Sequence, residues 1–374
     1  MKSTSRMAML PDFSREVRCL LGLPFDMVSL EAAEQRIRAA AANRTSCFLS
    51  TPNLNFLIAA QSDSAFRNSV INSDLSLADG MPLVWIARLL GIPIRGRVAG
   101  SDLFELLRVG APNRLSVYFF GGMEGVAETA CRRLNAESSG LMCAGFESPG
   151  FAPIQEMSSD ESIEKVNASG ADFLVVSLGA KKGQAWIEFN RAQISVPVIS
   201  HLGAVINFVA GRVDRAPIWM QRAGLEWLWR IKEEPGLWRR YTTDGLVFLR
   251  LLFTRVIPYA WLMYWHKPTG RKLDFADIEL SEDGGEIIIR LRGAWVQNSL
   301  RPLRECFSSP VLVGKDIRIE MKHVTYVDSA FIGLLLLMYG DRQRQGRRLS
   351  VSNLKKNVRD IFRYACAEFL LDSR

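Results

Sequence analysis

The nine residues LADGMPLVW, Leu77 to Trp85, place one carboxylate, Asp79, in an otherwise apolar run. Gly80 suits a sharp exit from a strand and Pro82 suits the first turn of a helix. That backbone grammar does not require the acid. Locally, Asp79 is either an N-cap or turn residue or a carboxylate held over a ligand site, where a lone acid suits proton transfer. Four other loops join it as candidates: STPN with Thr51 and Asn53, FFGGMEG with Gly121 and Gly122, SLGAKKGQ with Gly179, and SHLGAV with Gly203. Glycine lets backbone N–H groups approach a phosphate. None of these loops is a full GxGxxG or Walker sequence, so the phosphate signal is partial.

These loops follow a regular alternation from Val17 to about Ala210. CFLST, LSVYFFGG, ADFLVVSLGA and VPVISHLGA read as strands, while NLNFLIAAQSDSAFRNSV, GVAETACRRLNAE and GQAWIEFNRAQ read as helices. Such alternation predicts an α/β, Rossmann-like parallel sheet covered by helices. Ligands then gather beyond the carboxyl ends of the strands. After the linker HKPTGRKLD, His266 to Asp274, a second unit of about 100 residues follows, a plausible small α/β domain. Its elements are GEIIIRLRGAWV (one long strand or a pair), the helix SLRPLRECF, the strand DIRIEMKHVTYV, the helix DSAFIGLLLLMYGDRQRQG, the strand RRLSVSNL and a closing helix.

The 374 residues, 48% hydrophobic and 23% charged, describe a globular chain of two domains. Six scattered cysteines without a CxxC argue against a disulfide framework or structural zinc and for a reducing cytosol. Residues 1–16 lack an apolar leader core and read as a loose tail. Of the net charge of +8, +7 falls between Gly211 and Lys272, a window that also holds six of the nine tryptophans. Basic residues interleaved with tryptophan suit a lipid headgroup layer or nucleic acid. The apolar stretch Gly245–Trp265 favours lipid. Arg250 and Arg255 near its middle argue against a span, so it is expected to lie in the interface, with Arg239 and Arg240 meeting lipid phosphates. The plain alternative is a helix covering a groove on the protein.

At STPNLNFLIAAQ, LADGMPLVW, GRVAGSDL and RAPIWMQRAGLEWLWRIKEEPGLWRRY the chain resembles the WecG/TagA/CpsF glycosyltransferases, carbohydrate-active family 26, over about Val17 to Tyr241. The resemblance implies inverting transfer of a sugar from a UDP-sugar to a polyprenyl-diphosphate-linked acceptor on the cytosolic leaflet. It makes Asp79 the base, sets Thr51 and Asn53 beside the site, and gives Arg97 a phosphate to pair with. Gly80, Gly100, Asp102, Gly121, Gly122, Gly179, Lys182, Gln184 and Gly203 are the implied substrate contacts, and Arg222, Arg230, Arg239, Arg240, Arg250 and Arg255 the membrane or acceptor contacts. No DxD sequence occurs, which favours leaving-group stabilisation without a metal.

Two departures stand out. Where members read G.G.PKQE.W this chain has SLGAKKGQAW, with Gly183 at the glutamine position and Gln184 able to substitute by a one-residue shift. Asn207 stands where members carry an aspartate. The C-terminal unit resembles a STAS domain through VTYVDSAFIGLLLLM, in which Ala330 replaces the serine phosphorylated in signalling members; Asp328 and Ser329 are either helix-capping or partner-binding residues. The expected assembly is a peripheral membrane enzyme without cofactor, bound to a UDP-sugar and a lipid-linked saccharide, open to a protein partner through the STAS unit and to homo-oligomers, without nucleic acid. A catalytically weakened scaffold recruiting partners is the alternative.

Overall fold

The computed structural model describes residues 12–110, 113–266 and 276–372. The linker at HKPTGRKLD and tail residues 1–11 lie outside them, apart from the backbone of His266. The chain divides into two compact units, Val28–Ile86 with Pro93–Phe248, and Met1–Met27 with Ala87–Ile92 and Leu249–Arg374.

In the first of these, six parallel strands run in the order β4-β3-β8-β7-β5-β6, with β3 at Cys47–Ser50, β4 at Leu75–Ser76, β5 at Leu115–Gly121, β6 at Leu141–Glu147, β7 at Phe173–Ser177 and β8 at Val198–His201. Strands buried on both faces read as continuous apolar runs, which is why CFLS and FLVVS were legible. The period of two still sorts the faces. Val117 and Phe119 enter one core layer with Leu49, Phe104 and Val175, while Tyr118 and Phe120 enter the other with Phe48 and Trp186. Trp186 stacks on Phe120 at 4.2 Å between ring centroids, and its indole N–H donates to the Met157 carbonyl at 3.1 Å. The stretch expected as one helix after β3 is two, Leu54–Ser62 and Ser64–Ile71, because extended Asp63 ends the first and caps the second through the Phe66 N–H. Edge strand β6 was not expected. A disulfide joins its Cys143 to Cys131 of the helix Val126–Glu137, contrary to the reading of scattered cysteines, whereas Cys19, Cys47, Cys306 and Cys366 are buried and take no part in it.

The second unit holds a mixed sheet ordered β12-β11-β10-β9, with β9 at Ala276–Asp283, β10 at Glu286–Trp295, β11 at Asp316–Val327 and β12 at Leu349–Ser352. GEIIIRLRGAWV is thus one long strand, and the antiparallel β9 beside it is a strand the sequence left unmarked. A hairpin of β1, Val17–Leu20, and β2, Leu23–Asp26, expected with the transferase sheet, packs instead on the helix Ser329–Arg344 of this unit. Gly333 makes that approach possible, since a Cβ there would lie 2.9 Å from the Val17 carbonyl oxygen. The loose tail is packed from Phe13 onward. Phe13 meets Phe307 edge to face, Arg15 pairs with Asp26 at 2.7 Å in a buried site, and Arg304 donates to the carbonyls of Phe13 and Arg15.

Asp328 ties these pieces together by capping. Its carboxylate accepts from the N–H groups of Ala330 at 2.9 Å and Phe331 at 3.0 Å, from the Gln297 N–H at 3.0 Å, and from Arg18 at 3.5 Å. Ser329, its neighbour, is buried at the start of the helix. Replacing Asp328 by Ala leaves three partly buried backbone donors without this acceptor, and we expect a loss of about 1–2 kcal/mol of stability in denaturant unfolding, with Asp328→Asn retaining part of it.

Candidate active site

The carboxyl ends of β3, β4, β7 and β8 open onto a cavity of about 620 Å³. Thr51 and Asn53 reach it just after β3, Asp79 after β4, Gly179 after β7, and His201 with Gly203 at the end of β8. Asn53 caps the helix Leu54–Ser62 by accepting the Phe56 N–H at 3.2 Å, which anchors the loop behind Thr51. The Asp79 N–H donates to the Pro52 carbonyl at 2.9 Å, so the β3 and β4 loops are fastened to each other. Gly80 follows at φ +125°, a conformation that glycine alone adopts without strain. Gly100 lines the cavity as well, and a Cβ there would come within 2.5 Å of Leu202 and 3.2 Å of Thr51.

Among the described residues no hydrogen bond joins the Asp79 carboxylate to the helix Met81–Leu89, so the capping role open to it in the sequence is not realised. The side chain opens on the cavity and is otherwise enclosed by protein. That enclosure, reinforced by the charges of Glu226 and Asp102 and opposed by Arg97 and Arg230, pushes its pKa up to about 7. Half of this acid is therefore ionised near neutrality, the condition under which a carboxylate can take a proton and later release it.

Arg97 is held differently from the expectation of a free phosphate fork. Its guanidinium donates to Glu226 at 2.5 Å, to Asp102 at 2.7 Å and to Gln221 at 2.9 Å, and Arg215 also pairs with Asp102. The adjacent Val98 N–H donates to the Ala78 carbonyl at 2.9 Å, which moors this network beside Asp79. Nearby carboxylates raise the Arg97 pKa further, so it is a fixed cation of the site. Glu226 and Gln221 were not expected here, although both stand inside the quoted segment RAPIWMQRAGLEWLWRIKEEPGLWRRY.

Several expected contacts lie elsewhere. The Gly122 N–H donates to the Ser177 carbonyl at 2.9 Å and Gly121 packs against the same residue, so neither faces the cavity. Gln184 does not substitute at the site. It is fully buried, donating to Ser50 at 3.0 Å and accepting from Ser69 at 3.3 Å. Lys182 and Asp102 do not line the cavity, whereas Asn207 does. His201 was missed as a site residue. Its buried ring lines the cavity, and its Nε2–H donates to the Leu178 carbonyl at 2.6 Å.

Of the six basic residues assigned to membrane or acceptor, Arg230 and Arg240 line the cavity, each against an aromatic ring, Phe208 at 5.5 Å and Tyr241 at 5.1 Å, with no carboxylate partner among the described residues. Arg222, Arg239 and Arg250 are exposed away from it. Arg255 departs from the lipid reading, because it pairs with Glu368 at 2.7 Å and donates to the Arg363 carbonyl. A continuous helical run, Pro235–Trp265, is long and apolar enough by length and composition to cross a membrane, with a π-helical turn at Leu252–Val256; 17% of its apolar window is buried. Ile218, Trp219, Trp238, Leu246, Trp261 and Trp265 are all more than half exposed. Among the described residues no group of three or more His, Cys, Asp or Glu is placed to hold a metal ion.

The profile of the glycosyl transferase WecG/TagA/CpsF family matches residues 18–260, and the profile described as Mlab, STAS domain matches residues 278–371. Relatives named N-acetylglucosaminyldiphosphoundecaprenol N-acetyl-beta-D-mannosaminyltransferase include one from Bacillus spizizenii, 30% identical over 52% of this chain and 74% of its own length. Those of Bacillus subtilis, 28% identical over 51% and 73%, and Staphylococcus aureus, 23% identical over 56% and 82%, carry the same name. With the Asp79 cavity at the mouth of a parallel sheet and a mixed sheet following it, the chain belongs to the WecG/TagA/CpsF family of glycosyltransferases and carries a C-terminal STAS domain.

Proposed function

We propose that the chain transfers an N-acetylhexosaminyl group, with inversion, from a UDP-sugar to the hydroxyl of a saccharide carried on a polyprenyl diphosphate, at the inner face of the cell membrane. The observation that carries this is Asp79, whose enclosure pushes its pKa up to about 7, on a cavity that also presents Arg97, Arg230 and Arg240 and is otherwise lined by Glu226, Glu234, Asp244, glycines and apolar side chains. Asp79 takes the proton of the acceptor hydroxyl as its oxygen attacks the anomeric carbon. The departing diphosphate is met by Arg230 and Arg240, whose guanidinium groups are not committed to carboxylates, while Arg97 keeps the local field positive. This supports transfer without a metal. Within the unit that bears the cavity, the exposed Ile218, Trp219, Trp238 and Leu246 with Arg222 and Arg239 fit a surface that rests in the headgroup layer and meets a lipid-borne acceptor. The STAS domain then serves as a module for partner binding or regulation.

Four outcomes test the reading. Asp79→Asn should lower kcat by about 10²–10⁴-fold with UDP-sugar binding kept; an inactive wild type that binds no UDP-sugar leaves a scaffold. The same variant should melt higher than wild type at pH 7.5. A raised folded-state pKa stabilises fully below the unfolded value near 4 and loses that stability as pH rises through about 7, so the gap in Tm should close toward pH 4. In the wild type, kcat should fall as pH drops through about 7, and Glu226→Gln should move that limb to lower pH, since the Glu226 charge holds the Asp79 pKa up. Finally, EDTA should leave the rate unchanged, whereas Arg230→Gln should reduce it.

A further inference from the structure

The end of β8 shows a recess built around one imidazole. A Cβ placed at Gly183 would fall on Cδ2 of His201, inside any real contact distance, and a Cβ at Gly203 would lie 3.1 Å from its Nε2. Two glycines therefore flank the ring, and side chains at either position would displace it. Its third neighbour is Phe56, with ring centroids 6.2 Å apart. The ring is also fixed in rotation. A carbonyl only accepts, so the 2.6 Å contact with Leu178 requires the proton on Nε2. In the neutral ring Nδ1 is then an acceptor. No partner for it occurs among the described residues, and it is absent from the polar atoms sealed without one. Burial lowers the His201 pKa, which keeps the ring neutral and the acceptor lone pair available.

We propose that His201 is a donor-specificity residue, whose Nδ1 accepts a hydrogen bond from an N–H or O–H of the bound sugar nucleotide, and that Gly183 is small in order to seat it. This rests on the cavity being a nucleotide-sugar site. It also gives the SLGAKKGQ departure a physical consequence, because the volume at Gly183 is taken by the imidazole edge and Gln184 is turned into the core. A buried acceptor of this kind discriminates strongly, since a ligand lacking the matching donor leaves it unpaired.

The test uses the full chain, with UDP and UDP-N-acetylmannosamine as probes in titration calorimetry and thermal unfolding as a fold control. His201→Phe, which removes the acceptor, should weaken binding of at least one probe tenfold or more. His201→Asn, which keeps an acceptor near the Nδ1 position, should stay within about threefold. Gly183→Ala should weaken binding as His201→Phe does by pushing the ring aside, and adding His201→Asn should restore it, because the shorter side chain makes room. Binding by His201→Phe within twofold of wild type overturns the proposal, as does a Gly183→Ala defect that His201→Asn deepens. Should His201→Phe fail to fold, the Gly183→Ala pair still decides. Wild type that binds neither probe overturns the nucleotide-sugar reading itself, a result distinct from normal wild-type binding with indifferent variants.

Discussion

Bringing a carboxylate to the mouth of a parallel sheet is costly unless positive charge stands close by. Much of this site follows from how that requirement is met. Arg97 is the cation nearest in effect to Asp79, yet it is itself fastened by Glu226, Asp102 and Gln221. Burial pushes the Asp79 pKa up to about 7, and because Glu226 and Asp102 offset much of the pull of Arg97 and Arg230, the network does not return it to the ordinary carboxylate range. The anionic members around Arg97 thus help burial keep the proton affinity of Asp79 high, and Arg230 and Arg240 remain available for a ligand.

Much of the fold was legible because buried parallel strands announce themselves as unbroken apolar runs. CFLS, LSVYFFG, FLVVS and VISH could be read directly, and so could the loops behind them. The two-residue β4 and the edge strand β6 carry too little pattern to stand out, since LMCAGFE is half exposed. Of the site, Asp79, Thr51 and Asn53 were visible as loop residues at strand ends. Arg97 lines the cavity but with neighbours the sequence did not suggest, because ion pairs between residues 129 positions apart leave no trace in local spacing. Gly121 and Gly122 show the opposite error. Their glycine character serves a close approach to β7, not a phosphate. His201 was passed over because its position on the cavity depends on the space left by Gly183 and Gly203 around it.

The C-terminal unit presents a similar division. Its strand and helix order and the DSA loop were recognisable, and Asp328 turned out to cap. What no local pattern could reveal is that CLLGLPFD supplies the hairpin covering the Ser329–Arg344 helix, at a separation of some three hundred residues.

That hairpin has a consequence for how the molecule comes into being. The hairpin at Val17–Asp26 acquires its packing only when the helix Ser329–Arg344, some three hundred residues later, has been made. At ordinary translation rates of about 5–20 residues per second, the gap is on the order of 15 to 70 seconds. During that interval Leu20, Leu23 and Phe25, all fully enclosed in the finished protein, have no native surface to rest against. The nascent chain therefore carries an orphan apolar strand pair through the whole synthesis of the transferase sheet. A truncated message that stops before the C-terminal unit would leave the strand pair exposed for the lifetime of the product.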